Sequence, residues 1–170
     1  MKELLIRKDS FYVTKYTGDL NTLEDQISYV RRYDPGRTVS NVGGYQSNYI
    51  NFGFEDLIFF AVARLKEIGV EARMNSFWLN ANKGSDWNVP HIHTIEGGWS
   101  VVYYHKVCCD KCPISFSHLV PCVYHEEVKY SPKQQDIVFF DDRIPHAVHP
   151  CNQDGHERIS VAFNLSLIHI

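Results

Sequence analysis

Three histidines in this 170-residue chain are placed so that they could hold one metal ion. His91 and His93 lie in the segment NVPHIHTIEGG, and His146 opens the segment HAVHP after a turn. Because successive side chains of a strand point to opposite faces, His91 and His93 would point the same way. If the strand that begins at His146 pairs beside them, the three imidazoles form a facial set of ligands with open positions opposite. The alternative is that His91 and His93 are solvated side chains near a turn.

A cationic side chain is the second candidate for chemistry. Arg158 begins the strand-like segment RISVAFN, and Ser160 shares its face of the strand. A buried, unpaired guanidinium is costly, so an inward Arg158 needs a carboxylate, which Arg binds through two parallel hydrogen bonds. That carboxylate could belong to a ligand. The alternative is that Arg158 lies in solvent or bonds to an acid of the protein.

Two helices are predicted in the first 70 residues. Asn21 as N-cap, Glu24 three residues later and a Pro-Gly stop predict a helix over about 21–33. The segment FEDLIFFAVARLKEIG predicts a second helix that closes at Gly69. Its apolar stripe consists of Leu57, Ala61, Leu65 and Ile68. Between the helices, the polar, glycine-rich segment SNVGGYQSN is predicted to be a loop.

After the second helix, short β-favouring segments separated by turn residues replace the helical pattern. They are NSFWLNAN, WSVVYYHKV, DIVFF, HAVHP and RISVAFNLSLI. This order predicts a mostly β protein with N-terminal helices, of the α+β class, whose strands form an antiparallel sandwich or barrel. We expect a single domain over residues 1–170, with helical support over about 1–70 and the β-barrel over about 72–168.

Composition and charge argue against several classes of function. The chain is 44% hydrophobic and 22% charged, as is usual for a folded protein. Its net charge of -3, without a basic patch, predicts that it binds neither nucleic acid nor membrane. The N-terminal apolar run is too short for a signal peptide, and no segment approaches the ~20 apolar residues of a membrane span. We therefore expect a cytoplasmic protein with reduced cysteines.

Taken together, the motifs resemble the non-haem Fe(II)- and 2-oxoglutarate-dependent oxygenases, in particular their prolyl-4-hydroxylase-like branch. The resemblance covers about residues 40–168, through GGYQS, WLNANKGSDWNVPHIH, WSVVYYHKV, QDIVFFDDRIPHAVHP and RISVAFN. It implies a double-stranded β-helix, which is a jelly-roll or cupin-like barrel with iron at its open end. It also implies a dioxygenase that uses O2 and 2-oxoglutarate to hydroxylate a protein side chain or a small molecule, and releases succinate and CO2.

The resemblance implies roles for individual residues. His91 and His146 match the two histidine ligands of iron, and His93 matches the third ligand position. Arg158 would bind the far carboxylate of 2-oxoglutarate. Further co-substrate contacts are implied for Ser160, Tyr104, Asn82 and Asn80. The tryptophans Trp78, Trp87 and Trp99 are candidates for the entrance through which the primary substrate reaches the iron.

His93 departs from the family pattern, which has Asp or Glu at that position. Iron(II) accepts imidazole, so a site of three histidines is chemically reasonable, but it is more positive by about one charge. Glu96 could supply the missing carboxylate if the loop after His93 folds back. The third ligand is therefore open between His93 and Glu96.

The same residues also resemble a cupin. His91, His93, Glu96 and His146 follow the cupin order of ligands, with Asn152 beyond them. This alternative predicts a metal-binding enzyme or binding protein that does not use 2-oxoglutarate. The two interpretations agree on the metal and differ at Arg158, which has a role only in the oxygenase.

A cluster of cysteines suggests a third, non-catalytic alternative, a β-sandwich binding module with structural zinc. Cys109 and Cys112, which follow Cys108 in the segment CCDKC, have the spacing of zinc ligands. The remaining ligands would be Cys122 and either His118 or Cys151. Without zinc, the segment would be a cysteine-rich surface loop between strands.

Overall fold

The computed structural model describes residues 10–93, 97–117 and 127–168. Within these ranges the chain forms two helices and eleven strands. The helices are α1 (Leu20–Tyr33) and α2 (Glu55–Glu67). The strands are β1 (Phe11–Lys15), β2 (Asn41–Val42), β3 (Tyr45–Gln46), β4 (Ala72–Lys83), β5 (Trp87–His91), β6 (Gly98–Lys106), β7 (Ile114–Ser117), β8 (Glu127–Tyr130), β9 (Asp136–Asp141), β10 (His146–Val148) and β11 (Glu157–Leu167). No helix in the described ranges has the length and apolar character needed to cross a bilayer.

The strands form two antiparallel sheets that pack against each other. One sheet has the order β1-β9-β6-β11-β4-β3, and the other has the order β2-β5-β10-β7-β8. Alternate residues of β9 serve the two faces of the first sheet: Phe140 packs toward the second sheet, with Phe116 of β7, and Phe139 packs on the opposite face. That opposite face is covered by the helices, which contribute buried residues such as Leu23 and Leu57. The predicted arrangement of helices beside an antiparallel β structure is confirmed.

Both predicted helices form, with small differences at their ends. The N-cap of α1 is Asp19 and not Asn21, because the Asp19 carboxylate accepts hydrogen bonds from the backbone amides two and three residues later. In α2, the predicted stripe is buried except at its end. Ile68 is 43% exposed because it is the C-cap, and Gly69 follows in the left-handed region with φ of 79°.

Several strands were not predicted. β1 precedes α1, so the first 70 residues are not only helical, and the segment predicted to be a loop contributes β2 to one sheet and β3 to the other. Gly43 and Gly44 lie between these two strands with φ of 69° and 62°, a region that favours glycine. Strands of two residues are too short to show periodicity in a sequence. β7 and β8 were also missed. That residues 1–170 form one domain stays a prediction.

Asp136 at the start of β9 joins three segments of the chain. Its carboxylate accepts hydrogen bonds from the Tyr130 hydroxyl at 2.6 Å and the Lys133 amide at 2.7 Å, and pairs with the Lys15 ammonium at 2.9 Å. Burial would raise the pKa of Asp136, but these donors outweigh it and lower the pKa below its usual value. A lowered folded-state pKa means that the ionised carboxylate stabilises the fold at neutral pH.

We expect Asp136→Asn to lower the free energy of unfolding by about 2 kcal/mol at neutral pH, because an amide cannot replace a carboxylate that accepts from three donors. The difference from wild type should shrink as the pH falls below the ordinary Asp pKa of about 3.9, because the unfolded chain then binds a proton that the folded-state carboxylate, with its lowered pKa, still resists. Urea unfolding followed by circular dichroism at several pH values measures this. Asp25→Asn on the exposed side of α1 is the matched control. An equal effect of the two substitutions would contradict the assignment.

Candidate active site

The structure brings His91, His93 and His146 to one place. β10 pairs with β5 so that His146 lies opposite His91. His93 lies beyond the end of β5, where its backbone amide donates to the Asp142 carbonyl at 3.0 Å. The Nε2 atoms of His91 and His93 are 3.3 Å apart, and ring nitrogens of all three residues lie within 4.8 Å of one another. Two imidazoles bound side by side at about 2.1 Å from an octahedral metal would have nitrogens about 3.0 Å apart, so this spacing suits a facial metal site.

Hydrogen bonds on the far side of each ring orient the three imidazoles. Nδ1 of His91 donates to the Val89 carbonyl at 2.7 Å, and Nδ1 of His146 donates to the Ile144 carbonyl at 3.0 Å. Nδ1 of His93 donates to the carboxamide oxygen of Asn164. These acceptors place the proton on Nδ1 and leave the Nε2 lone pair of each ring available as a metal ligand.

The three rings are in the protonation state that metal binding requires. Burial is the main cause that lowers the pKa of each: the pKa of His91 is lowered, that of His93 falls to about 4, and that of His146 lies well below its usual value. The imidazoles are therefore neutral at physiological pH. Within the ranges that the structure describes, no carboxylate joins this cluster. Glu96, the other candidate for the third ligand, lies outside the described residues.

The predicted co-substrate residues line the same pocket as the three histidines. The pocket, together with the solvent-filled space at its mouth, has a volume of about 480 Å³. All eight predicted site residues line it: Asn80, Asn82, His91, His93, Tyr104, His146, Arg158 and Ser160. Of the three tryptophans predicted for the substrate entrance, Trp78 lines this pocket, with its ring centroid 5.5 Å from that of His93. Trp87 is partly exposed, and Trp99 packs against Tyr12 and the core.

The register of β11 explains why these residues share a pocket. β11 lies between β4 and β6, with Arg158 opposite Asn82 and with Ser160 opposite both Asn80 and Tyr104. Side chains directly opposite each other on neighbouring antiparallel strands lie on the same face of the sheet. The face that carries Arg158 and Ser160 is therefore the one that faces the histidines.

Arg158 is buried, with 4% of its surface exposed, and its Nη1 donates to the Cys112 carbonyl at 3.0 Å. No carboxylate in the described part of the chain forms an ion pair with it. Arg158 therefore neither lies in solvent nor bonds to an acid among the described residues. The Tyr104 hydroxyl and the Asn80 carboxamide oxygen are also buried in this pocket without hydrogen-bond partners. Burial raises the pKa of Tyr104 to about 12, so the hydroxyl remains a donor. The Arg158 guanidinium and the Tyr104 hydroxyl are therefore the donors that this pocket offers to an anionic ligand, whereas the unpartnered Asn80 oxygen is an acceptor.

Three site residues were missed at the sequence level. Asn164 and the Ser100 hydroxyl contact Nδ1 of His93, and the Asn88 carboxamide accepts a hydrogen bond from Asn82 at 3.1 Å. Asn164 could have been found, because the alternation that places Arg158 and Ser160 inward continues to residue 164. The contact of Asn82 with Asn88 depends on the β4–β5 turn and has no periodic signal.

The structure also gathers four of the cysteines. Cys108, Cys109 and Cys112 from the β6–β7 connection meet Cys151 from the β10–β11 connection, with all four sulfur atoms within 4.8 Å of one another. Cys151 was one of two alternatives for the last zinc ligand. The other alternative, His118, and the predicted ligand Cys122 lie outside the described residues.

Comparisons with known proteins identify the fold. No family model matches the sequence, and no curated protein matches it. Solved structures do match. A prolyl-4-hydroxylase from Pseudomonas putida is 13% identical, with a TM-score of 0.62 and 95% of each chain covered. A prolyl hydroxylase from Trichoplax adhaerens, in complex with a hypoxia inducible factor peptide fragment, is 11% identical, with a TM-score of 0.64 and coverage of 94% of this chain and 84% of that one.

A third match is the viral collagen prolyl hydroxylase from Paramecium bursaria Chlorella virus-1, solved as a 2-oxoglutarate complex. It is 12% identical, with a TM-score of 0.60 and coverage of 92% of this chain and 96% of that one. At sequence identities this low, the structural similarity establishes a shared fold and nothing more. The chain therefore has the double-stranded β-helix fold of the 2-oxoglutarate- and Fe(II)-dependent oxygenases, as the resemblance of its motifs predicted.

Proposed function

We propose that the protein is an Fe(II)- and 2-oxoglutarate-dependent dioxygenase that hydroxylates a protein side chain or a small molecule. The observation that carries this proposal is the buried Arg158, for which the described part of the chain supplies no carboxylate, in one pocket with three converging neutral imidazoles. A metal ligand set beside a guanidinium suits a small acid that binds the metal at one end and the cation at the other. In the viral neighbour, 2-oxoglutarate is bound within the same fold.

Different residues of the pocket would bind the metal and the co-substrate. His91, His93 and His146 would hold iron(II) through Nε2, and Arg158 would bind the far carboxylate of 2-oxoglutarate. Ser160 and Tyr104 would donate hydroxyl hydrogen bonds to the co-substrate, and the carboxamides of Asn80 and Asn82 would adjoin it. When bound, iron with 2-oxoglutarate and O2 supplies the oxidation that yields succinate, CO2 and a hydroxylated product.

The protein's own residues would contribute to the reaction by orienting the metal ligands and by binding the co-substrate anion. The hydrogen bonds to Val89, Ile144 and Asn164 hold the imidazoles in one tautomer and orientation, so the ligand geometry exists before the metal arrives. Burial of Arg158 and Tyr104 strengthens their interactions with an anion, because water does not compete for it. Trp78 lies beside His93, with ring centroids 5.5 Å apart, and would limit access of water to a bound metal from that side.

The proposal is tested by titrating the anaerobic iron(II) protein with 2-oxoglutarate and following the visible charge-transfer absorption that forms when a 2-keto acid chelates iron. Saturable binding, and succinate formation after admission of O2, are the expected results. Succinate is measured without added substrate, as slow uncoupled turnover. Iron binding without any 2-oxoglutarate binding would overturn the proposal and favour the cupin alternative.

The identity of the third ligand gives a separate prediction. We expect His93→Ala to weaken iron(II) binding at least about 100-fold, because it removes one of three ligands, and Glu96→Ala to leave the affinity unchanged. A competition assay with a chromogenic chelator under argon measures both variants. Full affinity in His93→Ala together with a loss in Glu96→Ala would assign the third ligand to the carboxylate.

A further inference from the structure

The four thiols of the cysteine cluster have the spacing of a tetrahedral metal site. In a regular tetrahedron with zinc–sulfur distances of about 2.3 Å, the sulfur atoms lie about 3.8 Å apart. Cys108 Sγ lies 3.9 Å from Cys109 Sγ and 3.8 Å from the sulfurs of Cys112 and Cys151, and Cys109 Sγ lies 3.8 Å from Cys112 Sγ. Four of the six separations among these sulfur atoms thus match the ligand shell of a zinc tetrathiolate, and all six lie within 4.8 Å.

A disulfide is the competing explanation for such close cysteines. The shortest separation, between the sulfurs of Cys109 and Cys151, is 3.0 Å, and all four thiols of the cluster are free. A Cys109–Cys151 disulfide would also leave unexplained why the Cys108 sulfur lies 3.9 Å and 3.8 Å from the sulfurs of these two residues, and why the Cys112 sulfur lies 3.8 Å from that of Cys109. The mutual spacing of all four therefore favours a single shared ion.

The surroundings of the cluster suit the charge of such a site. Zinc with four thiolates carries a net charge of about -2, which needs nearby hydrogen-bond donors or cations. The Lys111 backbone amide bonds to Cys109, and His156 Nδ1 lies 3.4 Å from Cys151 Sγ. The buried Arg158 lines a small pocket together with Cys108, Cys112 and Cys151, and Lys83, Asp86 and His149 also line it.

We propose that Cys108, Cys109, Cys112 and Cys151 bind one structural zinc ion. The ion would tie the β6–β7 connection to the β10–β11 connection, which are more than 35 residues apart in the sequence. It would also hold the Cys112 carbonyl in place, to which Arg158 Nη1 donates at 3.0 Å. The zinc site is thus a positioning element for the guanidinium, a consequence that rests on the proposed function. The proposal of a zinc site itself does not depend on the proposed function.

Metal analysis of the full chain tests the site. After purification with zinc in the growth medium and dialysis against a chelator that strips iron, we expect about one zinc per chain. Cobalt substitution of the wild-type protein should give intense thiolate-to-cobalt charge-transfer bands and the ligand-field bands of tetrahedral cobalt. Absence of bound zinc, or a Cys109–Cys151 disulfide in the mass spectrum of the non-reduced protein, would overturn the proposal.

Three variants separate this site from its neighbours. Cys151→Ser should lose the zinc, and the matched control Cys122→Ser, which changes the one cysteine outside the proposed ligand set, should keep it. The double variant His91→Ala/His146→Ala should lose iron and keep zinc. If zinc is lost equally from Cys151→Ser and Cys122→Ser, or is lost with the histidines, the proposed ligand set is wrong. If Cys151→Ser does not fold, the cobalt spectrum of the wild-type protein still tests the zinc site.

The coupling to Arg158 has its own readout. Cys151→Ser that retains iron should bind 2-oxoglutarate about 10-fold more weakly, because the carbonyl that orients the guanidinium is no longer held. Unchanged 2-oxoglutarate affinity in this variant would reject the positioning role and leave the zinc site standing. If wild type binds zinc but no 2-oxoglutarate, the proposed function fails and the zinc proposal does not.

Discussion

His146→Ala is expected to weaken iron(II) binding by about 100-fold or more. His146 is the most buried of the three imidazoles, with 5% of its surface exposed, and it is the partner of His91 across the β5–β10 ladder. Its removal leaves two ligands, and no other described residue lies in the cluster to replace it. Metal content after anaerobic reconstitution, and chelator competition, measure the loss.

The matched control for this prediction is His105→Ala. His105 is similarly buried, but it follows Tyr104 on β6, points away from the pocket and bonds to Glu24 of α1. We expect this variant to bind iron normally. Circular dichroism and thermal unfolding of both variants establish that they are folded. Normal iron binding by a folded His146→Ala protein would refute the metal site.

Arg158→Ala is expected to weaken 2-oxoglutarate binding about 100-fold or more while iron(II) binding is retained. Removing the guanidinium deprives the far carboxylate of a buried charged partner, and water in a narrow pocket replaces it poorly. Calorimetric titration of the anaerobic iron(II) protein measures the affinity, and the metal content of the same sample shows whether the histidine site is intact.

Two further variants make the Arg158 experiment specific. Arg158→Lys keeps the positive charge but loses the planar pair of donors, so we expect an affinity between those of wild type and Arg158→Ala. Arg73→Ala removes an exposed arginine of β4 and should leave the affinity unchanged. The oxygenase proposal does not survive if Arg158→Ala binds 2-oxoglutarate as tightly as wild type does.

Much of the site could be predicted from the sequence, because strands impose a period of two. That period places Arg158 with Ser160, and it would also have included Asn164. The third ligand could not be chosen in this way, since His93 lies beyond the end of β5 and is held by the Asp142 carbonyl rather than by strand pairing. Similarly, the N-cap of α1 was misplaced because Asp19 and Asn21 are both good caps, and only the backbone geometry distinguishes them.

The sequence by itself determined the residue types with chemical potential, the helices of the first 70 residues, and which neighbours in a strand share a face. Only the tertiary structure decided that His146 lies opposite His91, that Arg158 has no carboxylate partner among the described residues, and that Cys151 joins Cys108, Cys109 and Cys112. The reason is physical. Periodicity is a local property of the backbone, whereas contacts between segments tens of residues apart depend on strand register and on the packing of the whole barrel.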